Sequence, residues 1–178
     1  AIDEIEHAGH VIEYLEQARA AAATFFDSLI EWARREAPPN GQMRSPGVIP
    51  NVISQPFANL AKALSLLKDE LESEADALEA AAYASRAQEI ADDAAALLEQ
   101  SIPGCVYWVD GMQPRTDAAG RRLGPRPSLH CMPVEVGTIL ESALFSKDAG
   151  IVLTSATLAT GEGDFSHAIA RLGVKNPE

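Results

Sequence analysis

The 44 residues from Phe57 to Gln100 contain neither glycine nor proline. A stretch of that length without a chain-breaking residue commits the middle of the protein to helix. Phe57, Leu60, Leu64, Leu67, Leu71 and Leu78 recur at steps of three, four or seven, like one seam of a coiled coil. Glu74 falls on that seam as a polar break, and the pattern resumes with Ala82, Ile90, Ala94, Leu97 and Leu98. One bent helix of about 45 residues would run ~65 Å at 1.5 Å per residue. Two helices satisfy the same pattern, although no turn is obvious between them.

A second long helix is expected over 2–36. Ile5, Ile12, Leu15, Ala18, Ala22, Phe25, Leu29 and Ala33 share a face at helical spacing. Ala37-Pro38-Pro39-Asn40-Gly41 ends it, because proline lacks the amide hydrogen and glycine accepts positive φ. Residues 38–53, with four prolines and two glycines, read as a linker between the helices.

The texture changes at Ile102-Pro103-Gly104. Cys105–Val109 is short, β-branched and aromatic, the composition of a strand. Gly111–Ser128 reads as a loop rich in glycine and proline. Leu129–Val134 suits a returning strand, limited by Pro133 to an edge or an end. Glu135–Phe145 suits a helix, with Val136, Ile139, Leu140 and Leu144 on one face. Ile151-Val152-Leu153 reads as a short buried strand, and Asp164–Leu172 as a last helix ended by Gly173. The fold class expected is mainly α: long antiparallel helices followed by a small α/β segment. No internal repeat is visible.

Charge bounds the partners. The formal net charge is −12. Residues 1–37 hold eight acids and three bases, residues 54–101 ten and three, and residues 102–178 eight and seven. The helices are therefore poor electrostatic partners for phosphate, and any nucleic-acid contact must come from local basic spots. One such spot is Arg115, Arg121, Arg122 and Arg126, which carries net +3 with Asp117 and lies between Trp108 and His130. Arginines beside an aromatic suit a single-strand contact; a flexible, solvated hairpin is the plainer alternative. No stretch approaches the ~20 apolar residues of a membrane span. The acidic first twenty residues exclude a targeting peptide, and Ala1 reads as the edge of an excised piece. Cys105 and Cys131 permit one disulfide, although buried reduced thiols are the ordinary cytosolic outcome. Two cysteines cannot complete an iron–sulfur cluster, which needs about four.

The far end carries the specific pattern. Pro133-Val134-Glu135-Val136, Leu140-x-x-x-Leu144-Phe145, Ile151-Val152-Leu153-Thr154-Ser155-Ala156-Thr157-Leu158, Phe165 and Leu172-Gly173 occur in that order. The set resembles the DinG/XPD-type superfamily 2 DNA helicases around their motif III. Val106-Tyr107-Trp108-Val109 resembles the strand by which that family leaves its helical arch insertion, and the leucine-seamed helices resemble the arch itself. The resemblance implies an arch-type domain over 1–104 and, over 105–178, a strand–helix–strand part of the first RecA-like motor domain. It implies ATP-dependent, 5′-to-3′ DNA unwinding in bacterial repair or replication, in the cytoplasm, on single-stranded or forked DNA. Thr154, Ser155, Ala156 and Thr157 inherit the motif III role of coupling the nucleotide site to strand separation. Hydroxyls donate and accept, which suits such sensing; the alternative is that they cap the next helix.

Other parts are missing or misleading. There is no G-x-x-x-x-G-K-[ST] loop to cradle phosphate. ATP and magnesium are therefore expected only in a longer parent, no cofactor is expected in this chain, and the parent's iron–sulfur content stays open. Asp3-Glu4-Ile5-Glu6-His7 is one residue too long for a DEAH box and follows no apolar strand. Asp3, His7 and His10 share a helix face, but a chance surface grouping explains them better than a metal site. Ser155 lacks the nucleophile elbow that a hydrolase pairing with His130 or His167 would need. No metal site and no complete catalytic set is expected, and the isolated chain should not turn over ATP. A non-enzymatic helical module that binds a protein partner is the alternative. Self-association through Ile151–Leu153 is a third expectation, since unpaired strand edges seek partners.

Overall fold

The computed structural model describes residues 2–147, 149–155, 157–161 and 163–175, with side chains from His10 onward. The chain forms two compact units, Ala1–Cys131 and Met132–Glu178. The architecture is mainly α with a small antiparallel sheet, as expected.

The first helix, α1, spans Ile2–Arg35. From Ala18 to Ala33 its inward stripe includes the expected residues, but in the first half of the helix it departs from them. Ala18, Phe25, Leu29 and Trp32 are buried, and Val11 and Tyr14 pack beside Ala18, whereas Ile12 is 60% exposed and Leu15 is also exposed. Val11, Tyr14, Ala18, Ala22, Phe25, Leu29 and Trp32 are spaced by three or four throughout. Both stripes are apolar in the first half of the helix, so only packing chooses between them.

The segment that resembled a linker is part of the core. Gln42–Met43 forms β1, antiparallel to β2 (Cys105–Asp110), with Gln42 opposite Trp108 and Met43 opposite Tyr107. The Val109 amide donates to the Gly41 carbonyl at 2.9 Å. Gly41 has φ +69°, and a β-carbon there would lie 2.1 Å from the Val109 oxygen, so only glycine lets these backbones meet. Met43, Ile49 and Ile53 are buried with Phe25, Leu29, Trp32, Leu98, Tyr107 and Val109. The Gly47 amide donates to the Leu98 carbonyl, and Gln100 Nε2 donates to the Met43 carbonyl.

The glycine-free stretch is two helices, not one. Helix α2 spans Ser54–Lys68 and α3 spans Glu74–Glu99. Ser73 starts α3: its Oγ accepts the Asp76 amide, and Glu74 and Asp76 place negative charge at the positive end of the helix. The two helices form an antiparallel hairpin. Ser54 Oγ at the start of α2 donates to the Ala91 carbonyl far along α3. The end of α2 at Lys68 borders the same groove as Ala81, near the start of α3. The seam on α3 is mostly alanine: Ala80, Ala84, Ala87 and Ala91 are buried together with the expected Ala94 and Leu98, while Leu78, Ala82 and Ile90 are exposed. Small side chains let helix backbones approach closely, which a hydrophobicity count underrates.

Strand β2 lies at the centre of a three-stranded sheet, between β1 and β5 (Ser128–Pro133). The expected loop between β2 and β5 contains a hairpin, β3 (Arg115–Thr116) and β4 (Arg122–Leu123). Tyr107 and Val109 turn into the core, so Val106 and Trp108 take the opposite face. Tyr107 Oη, beneath the sheet, accepts the Ile102 amide and donates to the Ile102 carbonyl, both at 2.9 Å.

In the second unit, Gly137–Leu140 forms α4, which runs into a π-helical turn over Glu141–Phe145 where a plain helix was expected. Ser166–Leu172 forms α5. No residue described over 132–175 is buried. Ile151–Leu153 is not the buried strand expected from its sequence. It is not a strand, and Val152 is 86% exposed. An apolar strand of this kind is buried only between sheet neighbours, and the described residues give it none.

Candidate nucleic-acid interface and the TSAT segment

The open face of the sheet centres on Trp108. The His130 ring from β5 stacks on the indole, with centroids 5.1 Å apart and planes 14° from parallel. On the β1 side, Asn40, Gln42, Val106, Tyr107 and Trp108 line a groove of about 320 Å³. A second groove of about 430 Å³, walled by Pro38, Pro39, Asn40, Trp108, Met112 and Gln113 among others, also borders the indole. Trp108 and Asn40 are common to both.

The arginines are only partly pooled with Trp108. The Arg126 amide donates to the Gly111 carbonyl at 3.0 Å, which brings Arg126 beside the end of β2. Arg115 follows Gln113 of the larger groove by two residues. Arg122 pairs across the hairpin with Thr116. Arg121 is committed elsewhere: its Nε donates to Asp117 Oδ2 at 2.6 Å. Asp117 Oδ1 also accepts the amides of Arg121 and Ala119. These bonds, Arg121 first, hold the Asp117 carboxyl below its usual range. Arg115, Arg122 and Arg126 are exposed and form no ion pair among the described residues.

The TSAT segment is a separate place in the chain. Ser155 Oγ lies 3.3 Å from Thr157 Oγ1 and accepts the Thr157 amide at 3.3 Å. Thr154, Ser155 and Thr157 are exposed; Ala156 lies outside the described residues. The hydroxyls do not cap the next helix. That helix begins at Ser166, whose amide donates to Asp164 Oδ1 at 2.9 Å. The Ser166 bonds lower the Asp164 carboxyl.

Cys105 and Cys131 are free, half-buried thiols on neighbouring strands. Burial pushes the Cys105 thiol up, and its hydrogen bond with Cys131 adds to that. Among the described residues no group of three His, Cys, Asp or Glu can hold a metal, and no helix is long and apolar enough to cross a membrane. The side chains of Asp3 and His7, and with them the DEAH-like run at 3–7, lie outside those described.

Trp108 and the arginines are nominated by the sequence, which gives no direct sign that His130 is the ring partner of Trp108. It also leaves the Pro38-Pro39-Asn40 wall unmarked. The alternation of β2 places Trp108 on the open face, and this could have pointed to both.

Over 80 residues, 45% of this chain, the sequence is 38% identical to the ATP-dependent DNA helicase YoaA of Haemophilus influenzae. The chain spans 11% of that relative's length, so it is similar to a small part of a DNA helicase. No family model and no solved structure matches it.

Proposed function

We propose that this chain is an internal piece of an ATP-dependent DNA helicase of the DinG/XPD type, running from a helical arch-type insertion over 1–104 into motor-domain residues 105–178. The observation that carries the reading is the Ile151–Thr157 segment. It has the sequence of a buried strand ending in hydroxyls, yet Ile151–Ser155 and Thr157 lie exposed, without sheet neighbours among the described residues. Such a segment is completed by a sheet that the described residues do not provide. The partial identity to a DNA helicase supports the helicase part of this reading.

On this reading Thr154, Ser155, Ala156 and Thr157 form motif III. Ser155 and Thr157 already share a hydrogen bond and keep further donor and acceptor capacity for a neighbouring carboxylate or phosphate. The chain has no phosphate-cradling loop, so nucleotide and magnesium are held by residues outside it. The parent acts in the cytoplasm on single-stranded or forked DNA, with 5′-to-3′ polarity. The test is ATP hydrolysis by the isolated chain: none above background is expected, and turnover abolished by Ser155→Ala would overturn the reading.

The exposed Val152 also favours a second behaviour, self-association of the isolated chain through 151–153. Light scattering should show mass rising with concentration in the wild type and not in Val152→Lys.

A further inference from the structure

We infer that the paired grooves around Trp108 hold single-stranded DNA, with a base stacked on the indole and the backbone running toward Arg126 and Arg115. The inference rests on the helicase reading for its occupant. Its geometry comes from the first unit alone.

Four observations converge. Trp108 stands on the open face of the sheet, half-buried, although large apolar side chains are usually turned inward. His130 covers one side of the indole and restrains it, while the groove of Asn40, Gln42 and Val106 borders the β1 side. An aromatic fixed in this way offers a stacking surface that has already lost its rotamer freedom. The grooves are about 320 and 430 Å³, at the small end of small-ligand sites, and they meet at Trp108 and Asn40. A ligand occupying both must therefore cross the indole, as a strand with successive flat bases can.

The lining chemistry agrees. Asn40, Gln42 and Gln113 offer amide groups, each able to donate and to accept, which suits base edges without fixing a sequence. Positive charge gathers on the hairpin next to the larger groove, not on the acidic helices. Arg126 is hydrogen-bonded to Gly111, and Arg115 follows Gln113 by two residues. Asp110 is the one acid in the lining, and its Oδ1 accepts the Gly111 amide at 2.6 Å. Within a duplex each base face is already stacked on its neighbours, so a base free to stack on the indole belongs to a single strand.

The test is fluorescence anisotropy of labelled dT12 with the 178-residue chain, competed by unlabelled dT12, by a blunt duplex of equal length, or by a neutral peptide. Removing one stacking platform should weaken dT12 binding about 5- to 100-fold in Trp108→Leu. Trp108→Phe should keep most of the affinity, and His130→Ala should fall between them. Arg115→Gln and Arg126→Gln should each flatten the slope of log affinity against log salt by about 0.7. Circular dichroism melts show whether each variant is folded, and Trp108→Phe supplies a folded comparison if Trp108→Leu is not. Unchanged dT12 affinity in folded Trp108→Leu overturns the inference, as does tighter binding of the duplex or displacement by the peptide. None of these results touches the helicase reading, which turns on Ser155 and ATP.

Discussion

Gly137 and Gly173 meet backbone to backbone: a β-carbon on Gly173 would lie 2.4 Å from the Gly137 carbonyl oxygen. Gly173 ends α5 in the left-handed conformation at φ +70°, and the Val174 amide after it donates to the Ile169 carbonyl. The same end is tied to the residues just before and just after α4. Arg171 pairs with Glu135 and donates to the Val134 carbonyl, and Lys175 pairs with Glu141. Gly173→Ala must strain φ and push α4 away. With left-handed strain of about 1–3 kcal/mol, faster hydrogen exchange is expected across α5 and the Gly137 turn. Unchanged exchange there would show that the contact is not needed.

The buried stripe of α1 makes a contrast within one helix. Leu29 is 0% exposed and Leu29→Ala should cost about 2–5 kcal/mol in urea unfolding. Ile12, though more hydrophobic than Ala18, points outward, and Ile12→Ala should stay within about 0.5 kcal/mol. Equal losses would restore the Ile12–Leu15 face that the sequence suggests.

The turn between α2 and α3 depends on Ser73. Ser73→Ala removes the acceptor of the Asp76 amide and should cost about 0.5–2 kcal/mol, whereas Ser73→Asp keeps an acceptor and most of the stability. Two-state urea melts of both variants decide this.

The β3–β4 hairpin should respond to acid. Asp117 is held below its usual value of 3.8 by bonds from Arg121 first. A carboxyl lowered by folding contributes stability that is complete above 3.8 and is lost as pH falls through the lower folded value. The Ala119 and Arg121 amide resonances should therefore move together only below about pH 4. In Asp117→Asn they should be insensitive to that range. Movement near neutrality would contradict the assignment.

The helices were legible because helix is written in local spacing and in the absence of glycine and proline. The α2–α3 break was legible only as Glu74 on an apolar seam, although Ser73-Glu74-Ala75-Asp76 has the serine-to-acid spacing of a helix start. Strand β1 was not legible. Two residues in a proline-rich segment become a strand only through β2, which lies some sixty positions away. Trp108 and the arginines could be nominated from composition, but the loss of Arg121 to Asp117 and the gain of His130 are tertiary facts. Ile151–Leu153 was misread for a related reason: an apolar β-branched run records the environment it suits, and the described residues do not supply it.

The central claim is that Ser155 and Thr157 couple nucleotide to strand separation in a longer helicase. The most direct measurement is DNA unwinding per ATP hydrolysed by the full-length protein containing this chain, wild type against Ser155→Ala. The account predicts DNA-stimulated hydrolysis in the wild type and a fall in unwinding per ATP of about tenfold in Ser155→Ala, with nucleotide binding retained. A full-length protein that hydrolyses no ATP, or a Ser155→Ala variant that unwinds as efficiently as the wild type, would contradict it.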